Sequence, residues 1–277
     1  MSLAVAILNG TSLYYEREGS GQPIVFIHGH GLTHTMFKSQ LEFFSEDYQV
    51  ILCDLRGNGK SGRLMQSKEK VIETQGTDLI MLLNELNLRD AVFVGVSYGG
   101  LVAQYIAREY PERVKAVVVA DSFCRGDSSS FSLIDKLQVA AAYCSWFTYY
   151  APSELVLPSI RLMYQRWGLA YQVIRSSMLE KRPRELYKQR LAMARPDAAP
   201  FHKGYPHPAL FLAGDGMEYG VLCMKDMAEQ VPHAQFAVIP DALNPSNLCQ
   251  PEIFNQLLSQ FLEKVHLNRK RLIEHGI

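Results

Sequence analysis

What this chain lacks narrows it first. Lysine plus arginine number 28, as do aspartate plus glutamate, so the formal net charge is zero. No surplus of either sign argues for nucleic acid or an anionic membrane as the main partner. Cysteine is sparse: five residues, at 53, 124, 144, 223 and 249. The count is odd, the spacing is wide and no C-x-x-C pair occurs, which argues against a disulfide framework or a zinc site and suits a reducing cytoplasm. No apolar run approaches the ~20 residues needed to span a bilayer. The opening MSLAVAILNG is apolar, but it has no basic region and runs straight into a turn signal, so it makes a poor secretory signal. The basic stretch HLNRKRLIEH (266–275) reads as the solvated end of a last helix. Internal repeats and low-complexity segments are absent.

What is present is the composition of a globular protein, 48% hydrophobic and 20% charged over 277 residues. That length suits one large α/β domain with an insertion, or two small domains. LAVAIL (3–8), Asn9-Gly10 and TSLYYER (11–17) predict a hairpin, since Asn-Gly suits a type I′ turn. Short apolar runs follow at 24–27, 48–53, 91–96 and 114–120, with helical stretches at 34–45, 70–87 and 98–109 between them. Strand, helix, strand in repetition predicts parallel strands with crossover helices, a doubly wound sheet. The rhythm breaks after Asp121. Residues 122–205 offer no convincing strand, only amphipathic stretches near 131–147, 153–167, 169–181 and 184–195, with both tryptophans, Trp146 and Trp167. The sheet pattern resumes at 208–213 and 235–239, with helices near 221–230 and 251–265. The expected architecture is therefore a core of residues 1–121 and 206–277, carrying about eight mostly parallel strands, interrupted by an α-helical cap of residues 122–205. Aromatic residues of the cap belong mostly to its own core, and some are expected to line a ligand pocket.

Gly95-Val96-Ser97-Tyr98-Gly99 fits G-x-S-x-G between an expected strand and an expected helix. A turn that tight tolerates little beyond hydrogen at its flanks, and it would hold Ser97 out at the carboxyl end of a central strand. The plainer alternative is a strand–helix turn with an incidental serine. A second motif, His28-Gly29-His30-Gly31, follows another buried strand. Acyl transfer needs two N–H donors aimed at the developing oxyanion; the N–H of Tyr98 is one candidate and that of His30 the other. His28 reads as a brace for the loop. GNGKS (57–61) is not a phosphate-binding loop, because Asp54 stands where that motif needs glycine.

With these motifs, together with DLRGNGKSG (54–62), YPERVKAVVV (110–119) and the C-terminal P…FNQLLSQFL, nearly the whole chain resembles the α/β-hydrolase superfamily. The resemblance implies a triad in the chain order serine, acid, histidine. The acid region reads AGDGMEYG (213–220). The usual family spacing puts the carboxylate at Met217, so neighbouring Glu218 is the favoured acid, with Asp215 and Asp121 as alternatives. The histidine region reads VIPDALNPSNLCQPEIF (238–254), and the family's histidine column falls on Asn244. Other histidines are poorly placed. His202, His207 and His233 precede strands, His266 and His275 lie in the tail, His34 follows the oxyanion loop and His30 stands on its oxyanion side. The expected site is thus Ser97, Glu218 and Asn244, with His30 and Tyr98 as the oxyanion hole and no metal or organic cofactor. Two histories fit Asn244: a deliberate His-to-Asn replacement, or an evolutionary loss. The first makes the chain an impaired serine hydrolase of small carboxylic esters or lactones. The second makes it a small-ligand-binding or regulatory pseudo-hydrolase. Carbon–carbon bond hydrolysis is a third possibility, whereas dehalogenating and epoxide-opening relatives carry aspartate in the elbow. A small molecule is the expected partner, in the cytoplasm, and no oligomeric state is implied.

Overall fold

A computed structural model of the chain describes residues 2–64, 70–122, 140–195 and 205–274. Eight strands form one sheet: β1 (Ser2–Leu8), β2 (Thr11–Glu18), β3 (Pro23–Ile27), β4 (Gln49–Cys53), β5 (Ala91–Val96), β6 (Val114–Ala120), β7 (Ala209–Gly214) and β8 (Gln235–Ile239). Their spatial order is β1-β2-β4-β3-β5-β6-β7-β8. β1–β2 and β2–β4 are antiparallel and every other pair is parallel. The first hairpin turns at Asn9 and Gly10, both with positive φ, as a type I′ turn requires.

The helices in chain order are α1 (Lys38–Phe44), preceded by a 3-10 turn at His34–Phe37, then α2 (Val71–Glu85), α3 (Tyr98–Glu109), α4 (Trp146–Tyr150), α5 (Ser153–Met163), α6 (Gly168–Leu179), α7 (Pro183–Met193), α8 (Glu218–Gln230), α9 (Ser246–Cys249) and α10 (Pro251–Glu274). Successive residues of one strand feed opposite layers. Val92, Val94 and Val96 join a core with Phe37, Leu41, Phe254 and Phe261, while Phe93 joins one with Leu79, Leu83, Leu101 and Ile106. That is the period of a strand with both faces covered, and it explains why β3 and β5 read as unbroken apolar runs.

Between β6 and β7 the described residues form helices and no strand. The helix expected near 131–147 lies mostly outside the described residues. Two boundaries differ from expectation. α8 starts three residues earlier than 221, because Met217 is extended and Glu218 suits the positive end of a first turn. The stretch at 34–45 splits into a 3-10 turn and α1, because His34 is pinned by Asp54 through both its N–H and its Nδ1, at 2.8 and 2.7 Å. Among the described residues no helix is long and apolar enough to cross a membrane.

Strand order reverses at β3, whose neighbours are β4 on one side and β5 on the other. In open α/β sheets the crevice at such a point, outside the carboxyl ends of the strands, is where ligands bind. The loop after β3 carries His28–Gly31, and the turn after β5 carries Ser97.

Candidate active site

Ser97 sits in a strained turn, with φ 55° and ψ −117°. Its backbone is held on three sides: its N–H donates to Ala120 O at 2.8 Å, and its carbonyl accepts from Gly100 N at 3.0 Å and Ser122 Oγ at 2.7 Å. A positive φ at a residue with a side chain is costly and persists only when the surroundings over-determine it. The flanking glycines make the turn possible. A Cβ on Gly95 would lie 2.2 Å from Gly99 O, and one on Gly99 would lie 2.0 Å from Ile27 O. Ser97 is partly accessible while its neighbours on both sides, Val96 and Tyr98, are buried.

The loop after β3 lies against this turn: a Cβ on Gly29 would be 3.5 Å from Ser97 Cβ. Gly29 N–H is spent on Met36 Sδ and Gly29 O on Leu32 N. Among the described residues neither His30 N–H nor Tyr98 N–H has an acceptor. The Tyr98 side chain is drawn into the core, where its hydroxyl donates to Gln75 Oε1 at 2.5 Å. His28 is buried; its Nε2 accepts Leu55 N–H at 2.9 Å, which leaves the proton on Nδ1, 2.9 Å from Gly29 O. Burial lowers its pKa, so it stays neutral and bridges the β3 and β4 loops. The His30 ring lies 6.2 Å from the Tyr98 ring and reaches α7. Its Nε2 donates to Leu186 O of α7 at 3.0 Å, and burial first of all brings its pKa down to about 4.

Asn244 reaches Ser97. Its Nδ2 lies 3.2 Å from Ser97 Oγ and 3.1 Å from Asp121 O. The second contact fixes the amide's orientation, because a flipped amide would set Oδ1 against the Asp121 carbonyl, acceptor against acceptor. Asn244 therefore donates to the serine oxygen. A general base must do the opposite and accept the hydroxyl proton. Tyr164 of the segment between α5 and α6 donates its hydroxyl to Asn244 O, and Trp167 Nε1 donates to Asp241 O at 3.0 Å. These two aromatic residues tie the helical insertion to the loop that carries Asn244, a contact between remote segments that no local pattern announces.

The three candidate acids are placed very differently. Glu218 is exposed at the start of α8 and, among the described residues, has no hydrogen bond to Asn244. Asp215 is exposed and accepts Ala242 N–H at 3.1 Å. Asp121 is buried, with φ 49°, and lies against the Asn244 loop: Oδ2 accepts Ser246 N–H at 2.6 Å and Oδ1 accepts Gly214 N–H at 2.8 Å. Burial raises its pKa, against the Ser246 and Gly214 donors that favour the carboxylate. Met217, in the family's usual acid column, is exposed. Among the described residues no three His, Cys, Asp or Glu side chains converge as metal ligands.

Comparison with known proteins agrees with the fold. The family model described as alpha/beta hydrolase fold matches residues 22–209. A 3-oxoadipate enol-lactonase of Acinetobacter baylyi is 26% identical over 278 residues, covering 95% of this chain and 98% of the relative. The structure of a thermophilic esterase from Thermogutta terrifontis, with malate bound, aligns with TM-score 0.79 and 28% identity over 96% of this chain and all of that one. An enol-lactonase from Burkholderia xenovorans shares the fold at TM-score 0.78 and 22% identity, over 94% of this chain and 100% of that one.

Proposed function

Because this chain belongs to the α/β-hydrolase fold family, we propose that it carries a serine-hydrolase site for small carboxylic esters or lactones that lacks its general base at Asn244. The observation that carries this reading is the 3.2 Å contact from Asn244 Nδ2 to Ser97 Oγ, beside the backbone N–H groups of His30 and Tyr98, which have no acceptor among the described residues. The family relatives named for enol-lactone and ester hydrolysis support the substrate class. The division into a core of residues 1–121 and 206–277 and a cap of 122–205 belongs to the same reading, as do a cytoplasmic location and a site without metal or organic cofactor.

In the reaction the site is shaped for, Ser97 Oγ attacks the acyl carbon. The N–H groups of Tyr98 and His30 hold the oxyanion. The group at 244 takes the hydroxyl proton and passes it to the leaving alcohol as the acyl–oxygen bond breaks, and water then releases the acyl group by the same path. An acid near 218, or Asp121 beside the loop, would orient that group. Asparagine does not exchange a proton near neutral pH. Loss of the base lowers turnover by ~10⁴ to 10⁶, leaving a residue of catalysis from the oxyanion hole and binding. A second reading, a non-catalytic binder of carbonyl ligands, is favoured by one observation: Asn244 and the exposed Met217 occupy the base and acid columns together.

Hydrolysis of p-nitrophenyl acetate and butyrate by the chain and by Ser97→Ala tests the first reading. Weak turnover that falls further in Ser97→Ala is expected. Equal hydrolysis by both proteins overturns it, and ligand affinity unchanged in Ser97→Ala with no turnover above background establishes the binder.

A further inference from the structure

Helix α7 covers the oxyanion loop with one face. Leu186 O accepts the hydrogen bond from His30, and the Leu186 side chain packs over Gly31, with Cδ1 3.7 Å from where a Cβ would be. Arg190 follows four residues on, and residues i and i+4 share a helix face. The Arg190 side chain therefore leaves α7 on the side of the loop. It is half-buried. Its neighbours in sequence have partners: Arg182 donates to Ser61 O and Gly59 O, Lys188 to Leu64 O, and Arg195 pairs with Glu73 at 2.9 Å. Among the described residues Arg190 has neither a carboxylate nor any other hydrogen-bond acceptor.

Neither of the two ring groups that feel its charge, His30 and Tyr149, can neutralise it. His30 and Tyr149 meet edge to face at 5.6 Å, and both are uncharged near neutral pH. Both feel the arginine: after burial, which is the larger cause, its charge helps to lower the imidazole's pKa, and it opposes the burial that raises the phenol's. A half-buried guanidinium with no counter-charge is unfavourable unless something else supplies one. A planar carboxylate matches its fork of donors best.

We propose that Arg190 is a specificity-determining residue, receiving a free carboxylate on a ligand whose ester or lactone carbonyl lies at Ser97. This rests on the ester-site reading and narrows it to anionic substrates: half-esters of dicarboxylic acids, or lactones bearing a carboxylate. Arg190 takes no part in bond making. It selects the molecule and fixes its direction in the crevice.

The test is equilibrium binding, followed by protein NMR, of monomethyl succinate, glutarate and adipate against the corresponding dimethyl esters. The chain as it stands suits the measurement, because slow turnover leaves the ligand intact. At least one half-ester is expected to bind roughly 10-fold or more tighter than its dimethyl ester, in line with one charge-assisted contact. Arg190→Gln is expected to abolish that preference while the dimethyl ester binds as before, and Arg190→Lys to keep part of it. A role confined to holding the helix would change both ligands alike. Dimethyl esters binding with no preference for any half-ester, or a preference that survives Arg190→Gln, overturns the assignment of Arg190 alone. Binding of neither class overturns the ester-site reading and the proposal with it.

Discussion

Replacing Asn244 by histidine is the perturbation whose size follows most closely from the geometry. Losing the base in a serine triad is worth ~10⁶ in turnover, and losing only the orienting acid about 3 × 10⁴. Asn244→His does not recover all of this. The asparagine Nδ2 and the histidine Nδ1 are equally far out along their side chains, whereas the imidazole Nε2 lies a ring bond further. With Nδ2 already 3.2 Å from Ser97 Oγ, the loop from Asp241 to Pro245 must draw back to admit the ring. Tyr164 and Trp167 hold that loop from the other side. A misplacement of ~1 Å is worth ~10²-fold. The expected gain is therefore at least ~10² over the unaltered chain, rising toward ~10⁴ where an acid orients the ring. The assay is kcat/KM for a panel of p-nitrophenyl esters and small lactones across pH 5 to 9. The gain should appear as activity increasing with pH through roughly 6.5, because the base must be neutral to accept a proton. Adding Glu218→Gln removes much of it if Glu218 is the acid, and adding Asp121→Asn does so if Asp121 is. Met217→Asp, which restores a carboxylate to the column left vacant, should raise the rate in the Asn244→His background. A folded Asn244→His protein with no gain on any ester or lactone overturns the impaired-hydrolase reading.

Two further outcomes concern the scaffold. Gly99→Ala should disturb the turn and the loop together, since its Cβ would meet Ile27 O at 2.0 Å and His28 O at 2.8 Å, both backbone atoms that yield only by moving β3. A loss of at least ~2 kcal/mol by urea denaturation is expected, and a loss within ~0.5 kcal/mol contradicts the packing described. His30 has a folded-state pKa of about 4, below its unfolded value, so the unfolded chain binds the extra proton. Stability should decline as pH falls from about 6.5 toward 4, and His30→Gln should flatten part of that decline in urea midpoints measured at pH 7, 5.5 and 4.5. An unchanged slope would show that burial does not hold the imidazole neutral.

Strands were the most legible part of the molecule. Each expected run lies within one residue of the observed strand: the inner parallel strands β3 to β7, covered on both faces, are unbroken apolar segments, and the antiparallel β1 and β2 are marked by the Asn9-Gly10 turn between them. The Ser97 turn was legible for a steric reason, since the glycines at 95 and 99 are demanded by contacts of 2.2 and 2.0 Å. The acid region was not. Local spacing favoured Glu218, with Asp215 and Asp121 as alternatives; Asp215 accepts Ala242 N–H within the Asn244 loop, and Asp121, more than a hundred residues before that loop, accepts Ser246 N–H and Gly214 N–H beside it. The placement of β6 beside β7 brings them together, which spacing along the chain does not encode. The same holds for His30. Its sequence position offered a backbone donor, while its ring binds Leu186, 156 residues away. Arg190 carried no motif at all; its neighbours in space come from the way α7 lies on the loop.

In the proposed reading Ser97 stands in an otherwise assembled site without a base. Labelling by a small fluorophosphonate tests it most directly, because phosphonylation of serine needs the hydroxyl activated and the oxyanion donors in place. Intact-mass spectrometry with peptide mapping reads both the rate and the residue. Negligible labelling of the unaltered chain over hours is expected, with modification at Ser97 alone, faster by ~10² or more, in Asn244→His. Rapid labelling of Ser97 in the unaltered chain, at a rate Asn244→His does not change, would contradict it and point to a base other than residue 244.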